Sequence, residues 1–304
     1  MKTTILPQPS FRRSFTTNFF VATLMLLLIS GFARAQKVSA PGTPKTKTIL
    51  LITGAFVSNS GWDQWKSYYQ SKGYNVVAPA WPHKKGTASD LRLRQPDSLV
   101  AQLTLQEIVD YHARIIDSLH EKPIIIGHSF GGLVTQLLVQ QGKASAGIAY
   151  HSVPPKGVLT FKYSFVRSLW SPLGLFKSND KTFLMSFPQW QYAFTNGMKE
   201  SDQKAYYDQL VIPESRNVMW DALKKPATVD FKKAHAPLLF VSGSDDHIMP
   251  ASLNKKTYKK YFKNQPSGTI TEYKEFQGRN HLAMAQPTWK EDADYILEWA
   301  NKNN

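Results

Sequence analysis

A chain of 304 residues that is 42 % apolar holds enough apolar material for one large core. Its formal charge is +15, but the basic residues are scattered and no nucleic-acid motif accompanies them, so no nucleic-acid partner is expected. The sequence has no cysteine, which excludes a disulfide framework and a lipid anchor on Cys, and fits an exported protein.

The chain begins with Lys2, Arg12 and Arg13, then an apolar stretch from Phe19 to Ile29, then Ala33-Arg34-Ala35 before Gln36. A basic start, a short apolar core and a small-x-small site predict a cleavable signal peptide over residues 1–35, and hence export to the periplasm or the extracellular space. The competing reading is an anchor over residues 19–33. The apolar run is short against the roughly 20 residues that a span requires, so no stable membrane insertion is expected after cleavage. Removing 1–35 leaves 33 basic and 22 acidic residues, a net of +11, which can favour anionic surfaces. Residues 36–45, with Pro41, Gly42 and Pro44, read as a flexible lead-in to a single domain over 46–304.

From there apolar runs alternate with helical patterns, the rhythm of an α/β fold with a mostly parallel sheet flanked by helices. Strands are predicted at 48–53, 74–78, 122–127, 146–151, 237–243 and 270–276. A helix from Ser60 to Lys72 ends at Gly73, and Thr104-Leu-Gln-Glu107 is a capping box opening a helix that runs to His120. The lysine-rich run Lys255–Lys263 reads as the solvated face of a surface helix, and Pro287–Asn301 as an amphipathic closing helix. His112 falls on the apolar stripe Leu105, Ile108, Val109, Ile116 and reads as a packed residue.

The segment Gly127-His128-Ser129-Phe130-Gly131 sits between a predicted strand and a predicted helix. Gly-x-Ser-x-Gly in that setting is a nucleophile elbow: a sharp turn that exposes the serine oxygen at a helix start, where free N–H groups can hold an oxyanion. A serine hydroxyl needs a base, and a basic histidine needs an orienting acid. His281, in the loop Gln277-Gly-Arg-Asn-His281 before the last helix, is the candidate base. Asp245 and Asp246, after the strand Leu238–Gly243, compete for the acid. His128 should point away from the substrate, His151 ends a strand where it can border a pocket, and His235 has no assigned role.

The elbow, the Gly turn after Thr48–Ile52 and the chain order Ser, Asp, His resemble the α/β-hydrolase superfamily over about residues 46–302. The family pattern Gly-x-x-Asp-x-x-apolar-Pro, counted from Gly243 to Pro250, places the acid at Asp246. By the same resemblance the oxyanion hole uses backbone N–H groups of Phe130 and Ala55. The chain has Thr53-Gly54-Ala55 where the family has His-Gly-x, so the loop must be braced differently. Between Pro154 and Lys233 the strand rhythm breaks, and 14 of the 38 aromatic residues fall there. Family members carry a helical cap at this point, so 154–233 is expected to cover the site. The resemblance implies an exported serine hydrolase of the carboxylic-ester class (EC 3.1.1). It would act through an acyl-enzyme on a small, apolar ester, with no metal or organic cofactor. Non-ester chemistry on the same triad (perhydrolase, amidase, C–C hydrolase or lyase) and a ligand-binding role are the alternatives.

Overall fold

The structure, a computed structural model, describes Met1 and residues 46–174 and 181–304. The expected cleavage site, apolar leader and lead-in lie outside the described residues. The chain forms β1 (Thr48–Ile52), α1 (Asp63–Ser71), β2 (Asn75–Val77), α2 (Ala88–Leu93), α3 (Ser98–Gln102), α4 (Leu105–Asp117), β3 (Ile124–His128), α5 (Phe130–Gln140) and β4 (Ala146–Tyr150). It continues through α6 (Tyr163–Leu173), β5 (Thr182–Phe183), α7 (Phe187–Ala193), α8 (Glu200–Leu210), β6 (Glu214–Ser215) and α9 (Arg216–Asp221). It closes with β7 (Leu238–Gly243), α10 (Ala251–Asn264), β8 (Thr271–Phe276) and α11 (Trp289–Asn303).

Six strands build one sheet in the order β2-β1-β3-β4-β7-β8, every neighbouring pair parallel. Each expected strand is present. β3 begins at Ile124 rather than 122, because Pro123 has no N–H to give the ladder. The inner strands β1, β3, β4 and β7 are buried along their whole length, as befits apolar runs covered by helices on both faces. The edge strand β8, Thr-Glu-Tyr-Lys-Glu-Phe, carries charge and is half-buried, which blunts pairing with another sheet edge.

β1 pairs with β2 on one side and β3 on the other, so the winding of the sheet reverses between β1 and β3. The loops leaving such neighbours diverge, and the crevice at their carboxyl ends is where this architecture binds ligands. The register sets Ile52 opposite Gly127, so Thr53-Gly54-Ala55 and His128-Ser129 leave the sheet side by side.

The helix signals act as expected. Thr104 Oγ1 accepts from Glu107 N at 3.3 Å, and Glu107 Oε2 accepts from Thr104 N at 2.9 Å. Gly73, at φ 83°, ends α1. α10 exposes Lys255, Lys256, Lys259 and Lys263 and turns Leu253, Thr257 and Tyr261 inward. Trp62 and Trp65, near the start of α1, are wholly buried, and Trp65 Nε1 donates to Met284 O at 2.9 Å, so they serve packing. The segment between β4 and β7 also holds an antiparallel pair, Thr182 with Ser215 and Phe183 with Glu214. At two residues per strand it has no period for a sequence reading to detect. Among the described residues no helix is long and apolar enough to cross a membrane.

His112 is fully buried on α4, its Nδ1 donating to Ile108 O at 2.8 Å. Burial drives its pKa down to about 4, against the carbonyl bond that acts the other way. The unfolded chain takes up this proton near pH 6.5 and the folded chain near 4, so stability falls as pH falls between those values. His112→Leu should remove about 2.4 kcal/mol of that acid sensitivity, measured as the difference in urea-unfolding free energy between pH 7 and pH 4.5.

Candidate active site

Ser129 is the residue between β3 and α5, at φ 57° and ψ −117°. No unstrained L-residue prefers these angles, so the surroundings must impose them. Ser129 N donates to Tyr150 O and Ser129 O accepts from Val153 N, both at 3.0 Å, which locks the turn against the end of β4. The flanking glycines allow the closeness: a Cβ on Gly127 would lie 2.0 Å from Gly131 O, and one on Gly131 would lie 2.2 Å from Ile52 O. The N–H of Phe130 opens α5, where helix amides have no intrahelical acceptor.

Asp246, not Asp245, meets His281. Asp246 Oδ2 accepts from His281 Nδ1 at 2.7 Å, and Oδ1 accepts from Ile248 N at 3.0 Å and Met249 N at 2.7 Å. Asp245 is exposed and accepts from Ser244 Oγ at 2.6 Å. Burial alone would raise the Asp246 carboxyl, but the neighbouring histidine rings and their hydrogen bonds outweigh it and hold the group well below its usual range. His281 is lowered from the ordinary histidine value, because its burial outweighs the adjacent carboxylate. A carboxylate only accepts, so Nδ1 carries the proton and the Nε2 lone pair is the free end. His281 Nε2 is buried without a protein partner among the described residues, and no hydrogen bond joins it to Ser129 Oγ. Such bonds often close only when substrate is present.

The loop after β1 rests on the elbow: a Cβ on Gly54 would lie 2.7 Å from Ser129 Cβ. Of its two neighbouring amides, Phe56 N is taken by Glu214 Oε2 at 3.2 Å, while Ala55 N has no protein acceptor among the described residues. Thr53, standing where the family pattern has histidine, donates Oγ1 to Val57 O at 3.1 Å. Glu214 lies wholly buried on β6. Its Oε1 accepts from Ser215 N at 2.8 Å and pairs with Lys84, whose ammonium also lies 4.4 Å from the centre of the Trp81 ring. Burial lowers the Lys84 pKa, and Glu214 opposes the shift. The missing histidine brace is thus replaced by a buried carboxylate from the segment after β4. Glu214→Ala strands a buried ammonium and should cost about 3–5 kcal/mol of unfolding free energy in urea. Glu214→Gln with Lys84→Met, which keeps an acceptor for Phe56 and removes both charges, should recover most of it.

Two histidines flank this arrangement. His128 sits against the loop that carries His281: its Nε2 lies 2.7 Å from His281 O, and its ring centre 4.7 Å from that of His281. Burial, then the nearby His281 and His151 rings, hold His128 far below the ordinary histidine value. Nε2–H can therefore donate to the loop that carries His281. His151 Nδ1 lies 2.7 Å from Asp246 Oδ2, the oxygen that His281 also uses. His151, Asp246 and His281 form a group of metal-binding composition, with ligand atoms within 4.8 Å of one another. Both Nδ1 atoms are already committed to Oδ2, so an ion would have to replace two hydrogen bonds in a fully buried volume. Neither Glu214 nor the bond to His151 has a local sequence signal, since each depends on residues far apart in the chain.

An apolar cavity of about 140 Å³ is walled by Phe130, the residue after Ser129, with Val153, Val158, Phe165, Leu169 and Met219 among others. Val153 follows β4, whereas Phe165 and Leu169 come from α6 and Met219 from α9.

A parallel sheet that reverses between β1 and β3, with a strained serine at that point and a buried Asp–His pair beside it, defines an α/β-hydrolase architecture. The sequence profile of the Alpha/beta hydrolase family matches residues 49–291, and the chain belongs to that family. Among solved structures it is similar to a pyrethroid hydrolase from Sphingobium faniae JZ-2 (17 % identity, TM-score 0.60, covering 84 % of this chain and 98 % of that one). It is also similar to an extracellular α/β-hydrolase from a Paenibacillus species (19 %, 0.60, 83 % and 98 %) and a methylesterase from Arabidopsis (15 %, 0.60, 84 % and 99 %). No curated protein matches the chain.

Proposed function

We propose that this protein is an exported serine hydrolase that cleaves small carboxylic esters with an apolar acyl or alcohol group. The observation that carries the reading is His281: Nδ1 is held on Asp246 at 2.7 Å and Nε2 is left free, in the loop bonded to the residue before Ser129. Ser129 Oγ attacks the ester carbonyl while His281 Nε2 takes its proton. The oxyanion is held by the N–H groups of Ala55 and Phe130, each such donor contributing about 3 kcal/mol. His281 then protonates the leaving alcohol, and water, activated by the same nitrogen, releases the acid. Asp246 stays ionised throughout and stabilises the imidazolium. The apolar cavity at Phe130 supports an apolar group on the substrate, since its lining offers few partners for a charge. The hydrolase and esterase relatives in the comparisons support the same class. Export rests on the leader pattern of residues 1–35.

The test uses protein beginning at Gln36, assayed on p-nitrophenyl esters of rising acyl length beside Ser129→Ala. Wild type should turn over the shorter esters, with a rate that falls once the acyl chain outgrows the cavity. The variant should lose at least about 1000-fold in kcat. The acid limb of kcat/KM should lie below the ordinary histidine value of about 6.5, because the base must be unprotonated and burial lowers His281. A folded wild type that turns over no ester, or a Ser129→Ala variant as active as wild type, overturns the proposal.

A further inference from the structure

The catalytic acid of an acyl-transfer triad has one imidazole to orient. Here Asp246 serves two. His281 reaches its Oδ2 from the loop after β8, and His151 reaches the same oxygen from the end of β4, each at 2.7 Å through Nδ1. Both rings are fully buried, and both Nε2 atoms lack a protein partner among the described residues. A carboxylate oxygen can only accept, so both Nδ1 atoms donate.

The position of His151 is held at some cost. Its φ is 49°, in the left-handed region that histidine seldom adopts, and its N donates to Val241 O at 2.7 Å. Gly243 leaves the space it needs: a Cβ there would lie 2.6 Å from His151 Cε1 and 2.2 Å from Arg279 O. Tyr150 packs edge-on against the ring at 4.6 Å and donates its hydroxyl to Asp292 at 2.8 Å. Strain of this kind persists where the surroundings impose it, and here it brings a donor onto the acid.

We propose that His151 is a positioning residue that fixes the Asp246 carboxylate and shares its Oδ2 with His281, limiting how strongly His281 binds a proton. The inference rests on the triad reading of the site. With two backbone amides on Oδ1 and two imidazoles on Oδ2, the carboxylate cannot rotate away from His281. A second donor on Oδ2 also draws off negative charge that would otherwise stabilise the His281 imidazolium alone. Burial is the first cause that lowers His281 and Asp246 opposes it, while the His151 ring adds to the lowering. The other groups facing His151 are His128, with ring centres 6.2 Å apart, the Asp292 carboxylate of α11 and its partner Arg279. They belong to the same buried layer and are unchanged in the variants below. The consequence is a base that gives up its proton readily and works at mildly acid pH.

The test compares His151→Leu, which removes the donor, with His151→Asn, which keeps an N–H donor near the same place and tolerates the left-handed backbone. His151→Gly serves in place of the leucine variant if that chain does not fold. Two readouts are taken: the pH profile of kcat/KM on a p-nitrophenyl ester, and the NMR titration of the His281 imidazole. The leucine variant should show the acid limb and the His281 titration moved up by about 0.5–1 pH unit, with a several-fold lower kcat. The asparagine variant should keep both near the wild-type positions. A leucine or glycine variant whose His281 titrates as in wild type overturns the proposal, whatever its rate. If wild type turns over no ester, the esterase reading fails, and the NMR titration alone decides the role of His151.

Discussion

One buried carboxylate holds the site together. Asp246 takes four hydrogen bonds, two from its own turn and one each from loops that end β4 and follow β8. An ionised group in such a place would be prohibitively costly without those donors, so the three segments cannot move apart independently. The burial that raises the cost of the charge also excludes water from the Asp–His pair. The strength of the charge at His281 is therefore set by the donors around it and not by solvent.

The same economy governs the other side of the serine. In the proposed reaction the loop after β1 presents an amide to a developing negative charge, yet Glu214 places a carboxylate one peptide away. Lys84, itself buried and seated on Trp81, neutralises it. An unpaired carboxylate there would work against an oxyanion, whereas the pair braces the loop through Phe56 with little net field. His128, bonded to the carbonyl of His281, completes the frame on the strand side. The serine is thus framed by contacts from β3, the β1 loop, the segment after β4 and the loop after β8, each drawn from a different part of the chain.

Much of this was legible in the sequence because it is written locally. Ile-Ile-Ile before Gly-His-Ser-Phe-Gly declares a buried strand and a turn that only glycine permits at its flanks, and Thr104 with Glu107 declares a helix start. The sheet followed from such runs at β1, β3, β4 and β7 and from the strand-like stretches at its two edges. Residues alone left Asp245 and Asp246 competing; the resemblance to the family pattern, counted from Gly243 to Pro250, implied Asp246, and the structure puts Asp246 against His281. What stayed hidden was long-range and polar. The bond from His151 to Asp246 spans 95 residues, and Glu214 reaches Phe56 across 158. A histidine at a strand end and a glutamate in an irregular stretch carry no periodicity, and their partners are known only once the strands are ordered. The β5–β6 pair escaped for a simpler reason, having too few residues to alternate.

The buried Lys84–Glu214 pair also anchors the segment between β4 and β7. Separating two desolvated charges is costly, so the segment between β4 and β7 is pinned at β6. At its other end, around α6, Phe161, Tyr163 and Trp170 are largely exposed and have little packing to lose, while Phe165 and Leu169 on the same helix wall the cavity. α6 is tied in turn to the residues that follow Glu214, since Arg216 Nη1 donates to Ser171 O at 3.0 Å and Pro172 O at 2.7 Å, so one wall of the apolar cavity is fixed to the element that braces the loop after β1.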